Sequence, residues 1–280
     1  MIQQRAPATL AATIISEILD SVQGDKWRVI DFCSGAGGPT PFIEKQMNQE
    51  RARSGRKPIP FQLSDIHPNL DAWIVHSSHS EHLSFIPQPV DATNPPFAAI
   101  STTTPGDKEA ALDRGYVHDG SKILRLFCLS FHHFDDEGAM KVLKSTMETS
   151  DAVAIIELQD RNVGSLIIML LEFWLLLMTT VFWFWGDWVH LFLTYSIPVL
   201  PFVHCWDGLV SCLRTRNFDE VIDLVDQARG SRGSGTASQL KGTGITVRRG
   251  DWTFTNYRIL HTWPVGYLNA VVGRKVQRTQ

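Results

Sequence analysis

Apolar residues fall at helical spacing over residues 7–23, with Leu10, Ile14, Ile15, Ile18, Leu19 and Val22 on one side. Gly24 and Asp25 end that run. The period then changes. Residues 27–32 are a short, nearly continuous apolar run that predicts a buried strand. A glycine-rich turn follows, and residues 39–49 return to helical spacing with Phe42, Ile43 and Met47 on one face. A basic loop is expected over 51–58, with Arg51, Arg53, Arg56 and Lys57. Residues 61–65 predict a second strand ending on an acid, 69–76 a helix, and 83–90 a run into Asp91. Residues 93–121 read mostly as loop. Strong strands are predicted at 123–130 and 151–158, with a helix over 137–149 between them. After residue 216, a helix is expected at 217–227, a mobile Gly/Ser/Thr-rich loop at 230–244 and strands at 252–260 and 265–272. The alternation of strand and helix predicts a Rossmann-like α/β core. Its sheet should be mostly parallel, with helices on both faces and a C-terminal antiparallel hairpin.

One segment breaks this rhythm. No Lys or Arg occurs between Asn162 and Leu213, and Glu172 is the only formal charge in residues 165–185. About 21 residues at 1.5 Å each nearly span a hydrocarbon core of about 30 Å. Trp183, Trp185 and Trp188 flank Gly186-Asp187, a grouping suited to a membrane interface. A second apolar stretch, 189–205, is interrupted by Pro198 and Pro201. The expected element is an apolar helical hairpin. Sheet strands precede and follow it, so both its ends lie on one side of any membrane. Arg161, Arg214 and Arg216 flank it, which agrees with a cytoplasmic face. A lid or dimer interface over an apolar site is the alternative. The expected organisation is a core of residues 1–162, a membrane-associated insert of 163–206, and a second part of the same core at 207–280.

Composition adds limits. A formal net charge of −3 gives no global attraction to nucleic acid, so no nucleic-acid partner is expected. Cys33, Cys128, Cys205 and Cys212 form no CxxC pair, and no His/Cys cluster has zinc-ligand spacing. No metal site is expected, and the thiols read as reduced, as in a domain facing the cytoplasm. The first residues lack the apolar region of a secretory signal.

The chemistry gathers after the first core strand, in Val29-Ile30-Asp31-Phe32-Cys33-Ser34-Gly35-Ala36-Gly37-Gly38. Glycines there let the backbone approach a nucleotide-type ligand, and the next helix presents free N–H groups. Asp65, at the end of the second strand, suits ribose hydroxyls. It lies about thirty residues past the turn, beyond the usual spacing of about twenty, because the basic loop intervenes. Asp91-Ala92 ends a third acidic segment. Taken singly, each acid is as readily explained by a turn or a helix cap.

This segment resembles motif I of class I S-adenosylmethionine (SAM)-dependent methyltransferases. Asp31 matches the acid, Gly35 and Gly37 match two of the glycines, and Cys33 stands where the first would be. The resemblance implies SAM as cofactor, held by Asp31, Ser34, Gly35, Gly37, Asp65, Asp91, Ala92 and Ser130. It places residues 129–134 beside the transferred methyl group, with His132 and His133 as candidate catalytic bases for a hydroxyl acceptor. His190 and His204 are further candidates, and Asp207 and Arg214 are candidates to orient a polar acceptor. Residues 206–215 look like an element preceding a helix in a membrane-associated branch of the family. The insert enters beside the expected acceptor pocket, so an apolar small-molecule acceptor of secondary or lipid metabolism is implied, with membrane lipid as a further partner. The alternative is a methyltransferase fold that cyclises or rearranges a hydrophobic intermediate without methyl transfer.

Overall fold

The computed structural model describes residues 2–20, 26–96, 99, 121–230, 237–240 and 244–276. Its sheet has a parallel heart of β2 (Trp27–Phe32), β3 (Phe61–Ser64), β4 (Leu83–Phe85), β5 (Lys122–Cys128) and β6 (Ala152–Glu157). Apart from β4 at the edge, whose Ser84 is exposed, these strands are short and mostly buried on both faces, which is why they read as apolar runs rather than as alternating patterns. A short strand, β1 (Ile2–Gln3), pairs with β9 (Trp252–Trp263). β10 (Gly266–Lys275) lies antiparallel between β6 and β9. The order is β4-β3-β2-β5-β6-β10-β9-β8-β7, where β8 is Gly244–Arg249 and β7 is Ala237–Leu240.

Helices cover both faces. On one face, α1 (Pro7–Asp20), α2 (Thr40–Arg53) and α3 (Leu70–Ser78) set Ile14, Ile15, Ile43, Met47 and Trp73 against Val29, Leu63, Leu126 and Ala154. On the other, α4 (Asp136–Thr149) sets Val142 and Leu143 against Phe127 and Ile155. Successive residues of one strand, such as Leu126 and Phe127, thus serve opposite cores.

Several boundaries depart from the sequence reading. α2 continues through Arg51 and Arg53, so the basic loop is shorter than expected. Arg51 and Arg56 both pair with Asp20 and tie the end of α2 to the end of α1. The expected loop over 230–244 contains β7, which pairs with β8 and extends the sheet edge. Of the run at 83–90, only Leu83–Phe85 forms a strand, paired with β3. Most of the loop expected at 93–121 lies outside the described residues.

The apolar segment folds as α5 (Val163–Trp183), a short α6 (Trp188–Leu191) running into a π turn at Phe192–Ser196, and α7 (Val199–Arg214). α5 is long and apolar enough to cross a membrane by length and composition. α6 and its π turn meet α7 at a bend of 72°. Pro198 lies at that break, whereas Pro201 falls in the first turn of α7, where a missing N–H is tolerated. α7 packs along α5, and Tyr195 donates to the carbonyl of Leu177 at 2.8 Å. Residues 206–214 form the second half of α7 and Thr215 caps it, just ahead of the next helix. Ser211 and Cys212 are buried there, which explains why their helix runs on into the core. Both ends of the segment are held together: Arg161 Nε donates to the carbonyl of Thr215 at 2.8 Å, and its guanidinium pairs with Glu220. Glu220 belongs to α8 (Phe218–Ala228), which packs against α4 on the second face and starts with a capping box from Asn217.

Candidate functional site

The strand order reverses between β2 and β5: β3 and β4 lie on one side of β2 and β5 on the other. Ligands of such sheets sit at the carboxyl ends beside that switch point. The glycine turn emerges there, and its backbone needs a left-handed conformation at several places. Gly35, Gly37 and Gly38 have φ of +52°, +112° and +48°. At Gly37 the φ of +112° disfavours any side chain, and a Cβ would also press on the His76 ring at 2.9 Å. At Gly35 a Cβ would meet nothing within 4 Å, which leaves open space over the turn. Cys33 adopts φ +60°, so it follows the backbone path of the glycine it replaces, at a cost of about 1–2 kcal/mol in strain.

Polar contacts fix the turn to the second strand. Ser34 N and Oγ both donate to the carbonyl of Ser64, at 3.1 and 2.9 Å. Gly35 N donates to Asp65 Oδ2 at 2.8 Å, and His67 N donates to Asp65 Oδ1 at 2.8 Å. Trp73 Nε1 donates to the carbonyl of Gly35 at 2.8 Å. No side chain caps α2, whose N-terminus follows the turn. Asp65 therefore shapes the turn as well as facing it. Asp91 accepts from Thr93 N and Oγ1 at 2.8 and 2.7 Å, a local turn contact, and Ala92 is buried.

Asp31 is the unusual member. It is 1% exposed, and its Oδ1 has no hydrogen-bond partner among the described residues. Burial, with the charge of Asp65 adding to it, pushes its carboxyl up to about 8, while the neighbouring Thr40 hydroxyl pulls the other way. Cys33 is pushed up to about 12 by burial and by Asp65, Asp31 and Asp91. Its thiol thus stays protonated, and three of the sequence-selected acids converge on it. Such a carboxyl group, buried with one oxygen unpartnered among the described residues, suits a cationic or hydrogen-bond-donating ligand group.

The second group lies at the ends of β5 and β6. Ser130 is buried, with Leu129 before it at φ +55°. His132 is 5% exposed; its N–H donates to Glu157 Oε1 at 3.2 Å, and its Nδ1 lies 2.9 Å from Glu157 Oε2. The ring of His133 is 4.3 Å from that of His132 and is exposed. Burial and His132 hold His133 below the ordinary imidazole range, although Glu157 and Asp207 oppose this. Arg214 donates to the carbonyl of His133 at 2.8 Å. Cys128 lies between the two groups, its thiol pushed up by burial and by both Asp31 and Glu157. His190, by contrast, pairs with Asp187 at the far tip of the insert, away from the sheet.

Glu157 was not selected from the sequence. The available signal was the one that selected Asp65, an acid closing an apolar strand: Ala152-Val153-Ala154-Ile155-Ile156-Glu157. The sheet order, the parallel heart and the inserted antiparallel β10 now stand together with the turn and its acids. The fold is that of the class I SAM-dependent methyltransferases. A plantazolicin methyltransferase, BpumL, solved with a triazolic desmethylPZN analog and SAH, is 12% identical at a TM-score of 0.53, over 97% of this chain and 85% of that one. The DszA carbon methyltransferase is 13% identical at 0.49, and the CurJ carbon methyltransferase is 10% identical at 0.47. This chain spans 54% and 56% of the length of those two. No family model and no curated protein matches the chain.

Proposed function

We propose that this chain is a SAM-dependent methyltransferase acting on an apolar small-molecule acceptor, working at a membrane with its catalytic face toward the cytoplasm. The observation that carries the cofactor reading is the buried Asp31 carboxyl group, whose Oδ1 has no partner among the described residues, beside a turn of left-handed glycines with Asp65 near it and Asp91 near Cys33. The residues fit SAM: Asp31 is placed for its positive charge, Gly35 and Gly37 leave room for it, and Asp65 keeps lone pairs for ribose hydroxyls. Ser34, Ala92 and Ser130 complete the wall.

SAM, when bound, supplies an electrophilic methyl group on a sulfonium. The protein's own work is positioning the acceptor in line and handling a proton. Glu157 fixes the ring of His132 through Nδ1, which directs Nε2 to serve as the accepting nitrogen. His133, held toward its neutral form, is the second base candidate. Together they suit an acceptor that loses a proton from oxygen or from an acidic carbon.

The membrane reading rests on α5, on the absence of Lys and Arg across residues 162–213, and on Trp183, Trp185 and Trp188, which are 81%, 82% and 79% exposed. We treat 163–206 as an insert between two parts of one core. In secondary or lipid metabolism such a protein would take its acceptor from the bilayer.

Calorimetric titration of SAM into the purified protein tests the cofactor reading. Saturable binding is expected, and Gly35→Asp should remove it by filling the open space over the turn. No heat from the unaltered protein at millimolar SAM overturns the reading. A product heavier than the acceptor by one CH₂ supports transfer; an unchanged formula overturns it in favour of rearrangement.

A further inference from the structure

A cavity of about 400 Å³ lies where the insert meets the core. It sits at the same end of the sheet as the His132–Glu157 pair: Leu158 and Gln159 follow Glu157 directly, and His261 and Thr262 lie near the carboxyl end of β9. Leu158, Ile168 and Met169 give it apolar walls. The α5 and α7 helices close over it because Gly208 faces Met169; a Cβ on Gly208 would meet the Met169 sulfur at 2.5 Å.

Of the Asp, Glu, Lys and Arg side chains among the described residues, only acids line this cavity, beside the polar Ser165, Thr262, His204 and His261. Glu172, the only acid of α5, and Asp207 of α7 both line it. Gln159 adds an Oε1 that is buried and has no partner among the described residues. No Lys or Arg is among the described residues that line it. Burial holds His261 below the ordinary imidazole range, so it stays neutral. His204 reaches Glu172 at 3.4 Å with 68% of its side chain exposed, while Glu172 is 28% exposed. An acid in the middle of an apolar helix is expensive to keep, and the one partner of Glu172 among the described residues, His204, is itself mostly exposed. Here two acids and an unpaired carbonyl oxygen face one apolar-walled space.

We propose that this cavity is a binding site for the head of an amphiphilic molecule bearing a cationic amine, with its apolar part lying along α5 and α7. Glu172 and Asp207 supply the opposite charge, and Gln159 accepts a hydrogen bond. An anionic head is disfavoured by the same two carboxylates. The inference rests on the methyltransferase reading only in identifying this ligand with the acceptor. The amine is the anchoring group, and the proposal does not require it to be the atom that is modified.

The test uses the full chain in a nonionic detergent, with octylamine, octanol and octanoate as probes and protein-free micelles as the blank. Octylamine is expected to bind about tenfold more tightly than octanol, with no saturable heat from octanoate. Glu172→Gln and Asp207→Asn keep side-chain volume, and each should weaken octylamine binding by about tenfold. Octanoate or octanol binding as tightly as octylamine overturns the proposal, as does unchanged affinity in both variants or no octylamine binding at all. SAM is titrated into the same samples. Loss of SAM binding with octylamine binding intact sinks the cofactor reading alone; intact SAM binding with no amine binding sinks this proposal alone.

Discussion

Replacing Asp31 by Asn should make the SAM-free protein more stable while weakening its hold on SAM. The folded carboxyl titrates near 8 and an ordinary one near 3.8. Between those values the unfolded chain releases a proton that the folded chain keeps, so stability falls as pH rises. The sign is that of a raised group: its contribution is fully present below 3.8 and is lost as pH rises through about 8. At roughly 1.4 kcal/mol per pH unit, Asp31 has removed about 4 kcal/mol by pH 7. Asn removes that loss but brings an amide donor into a buried place, where an unmade hydrogen bond takes back about 1–3 kcal/mol. The net expectation is a gain of about 2 kcal/mol at pH 7, larger at pH 8.5 and smallest at pH 5. Urea denaturation of both proteins at the three pH values measures it. A difference that stays constant with pH, or a variant whose disadvantage grows toward pH 8.5, would refute the reasoning. Calorimetry in buffers of different ionisation enthalpy gives a second readout. SAM binding at pH 7 should release close to one proton from the native protein and none from Asp31→Asn.

Glu157→Gln should leave SAM affinity unchanged and lower single-turnover methylation by about 100-fold, because His132 loses the partner that fixes its ring; a slow step insensitive to this change removes His132 from proton transfer. Cys33→Gly restores the residue that φ +60° favours and should raise the melting temperature by about 2 °C in differential scanning fluorimetry. A lower melting temperature would mean that thiol packing outweighs backbone strain. Changing Trp183, Trp185 and Trp188 together to Ser should reduce co-flotation with liposomes by about 100-fold without altering SAM binding. Undiminished flotation would move the membrane contact elsewhere.

The parts legible in the sequence were those with one dominant local signal. β2, β5 and β6 announced themselves as apolar runs, though β5 also carries Arg125, fully buried and stacked over Phe32 at 4.9 Å. The glycine turn was legible because positive φ restricts residue choice so severely. β7 was not: it lies in a Gly/Ser/Thr-rich segment at the sheet edge, where no apolar face needs to be encoded. The second half of α7 was legible only as an element ahead of a helix, because its burial comes from contact with the rest of the fold, around Ser211 and Cys212, rather than from a clean periodic stripe. Glu157 escaped for a related reason. Its meaning depends on His132, 25 residues away, and only the pairing of β5 with β6 brings them together.

The position of β10 sets the order of assembly. Asn269 pairs with Glu157, and β10 fills the gap between β6 and β9. During synthesis the apolar hairpin therefore leaves the ribosome after β6 but before the strand that will cover the open edge of β6. For that interval the chain carries an unpaired strand edge and a Trp-rich hairpin at once, both prone to aggregation. Early capture of the hairpin by a bilayer would shield one hazard while the other waits for its partner. On the proposed membrane reading, delivery to the bilayer would then be a condition of biogenesis as well as of access to the acceptor.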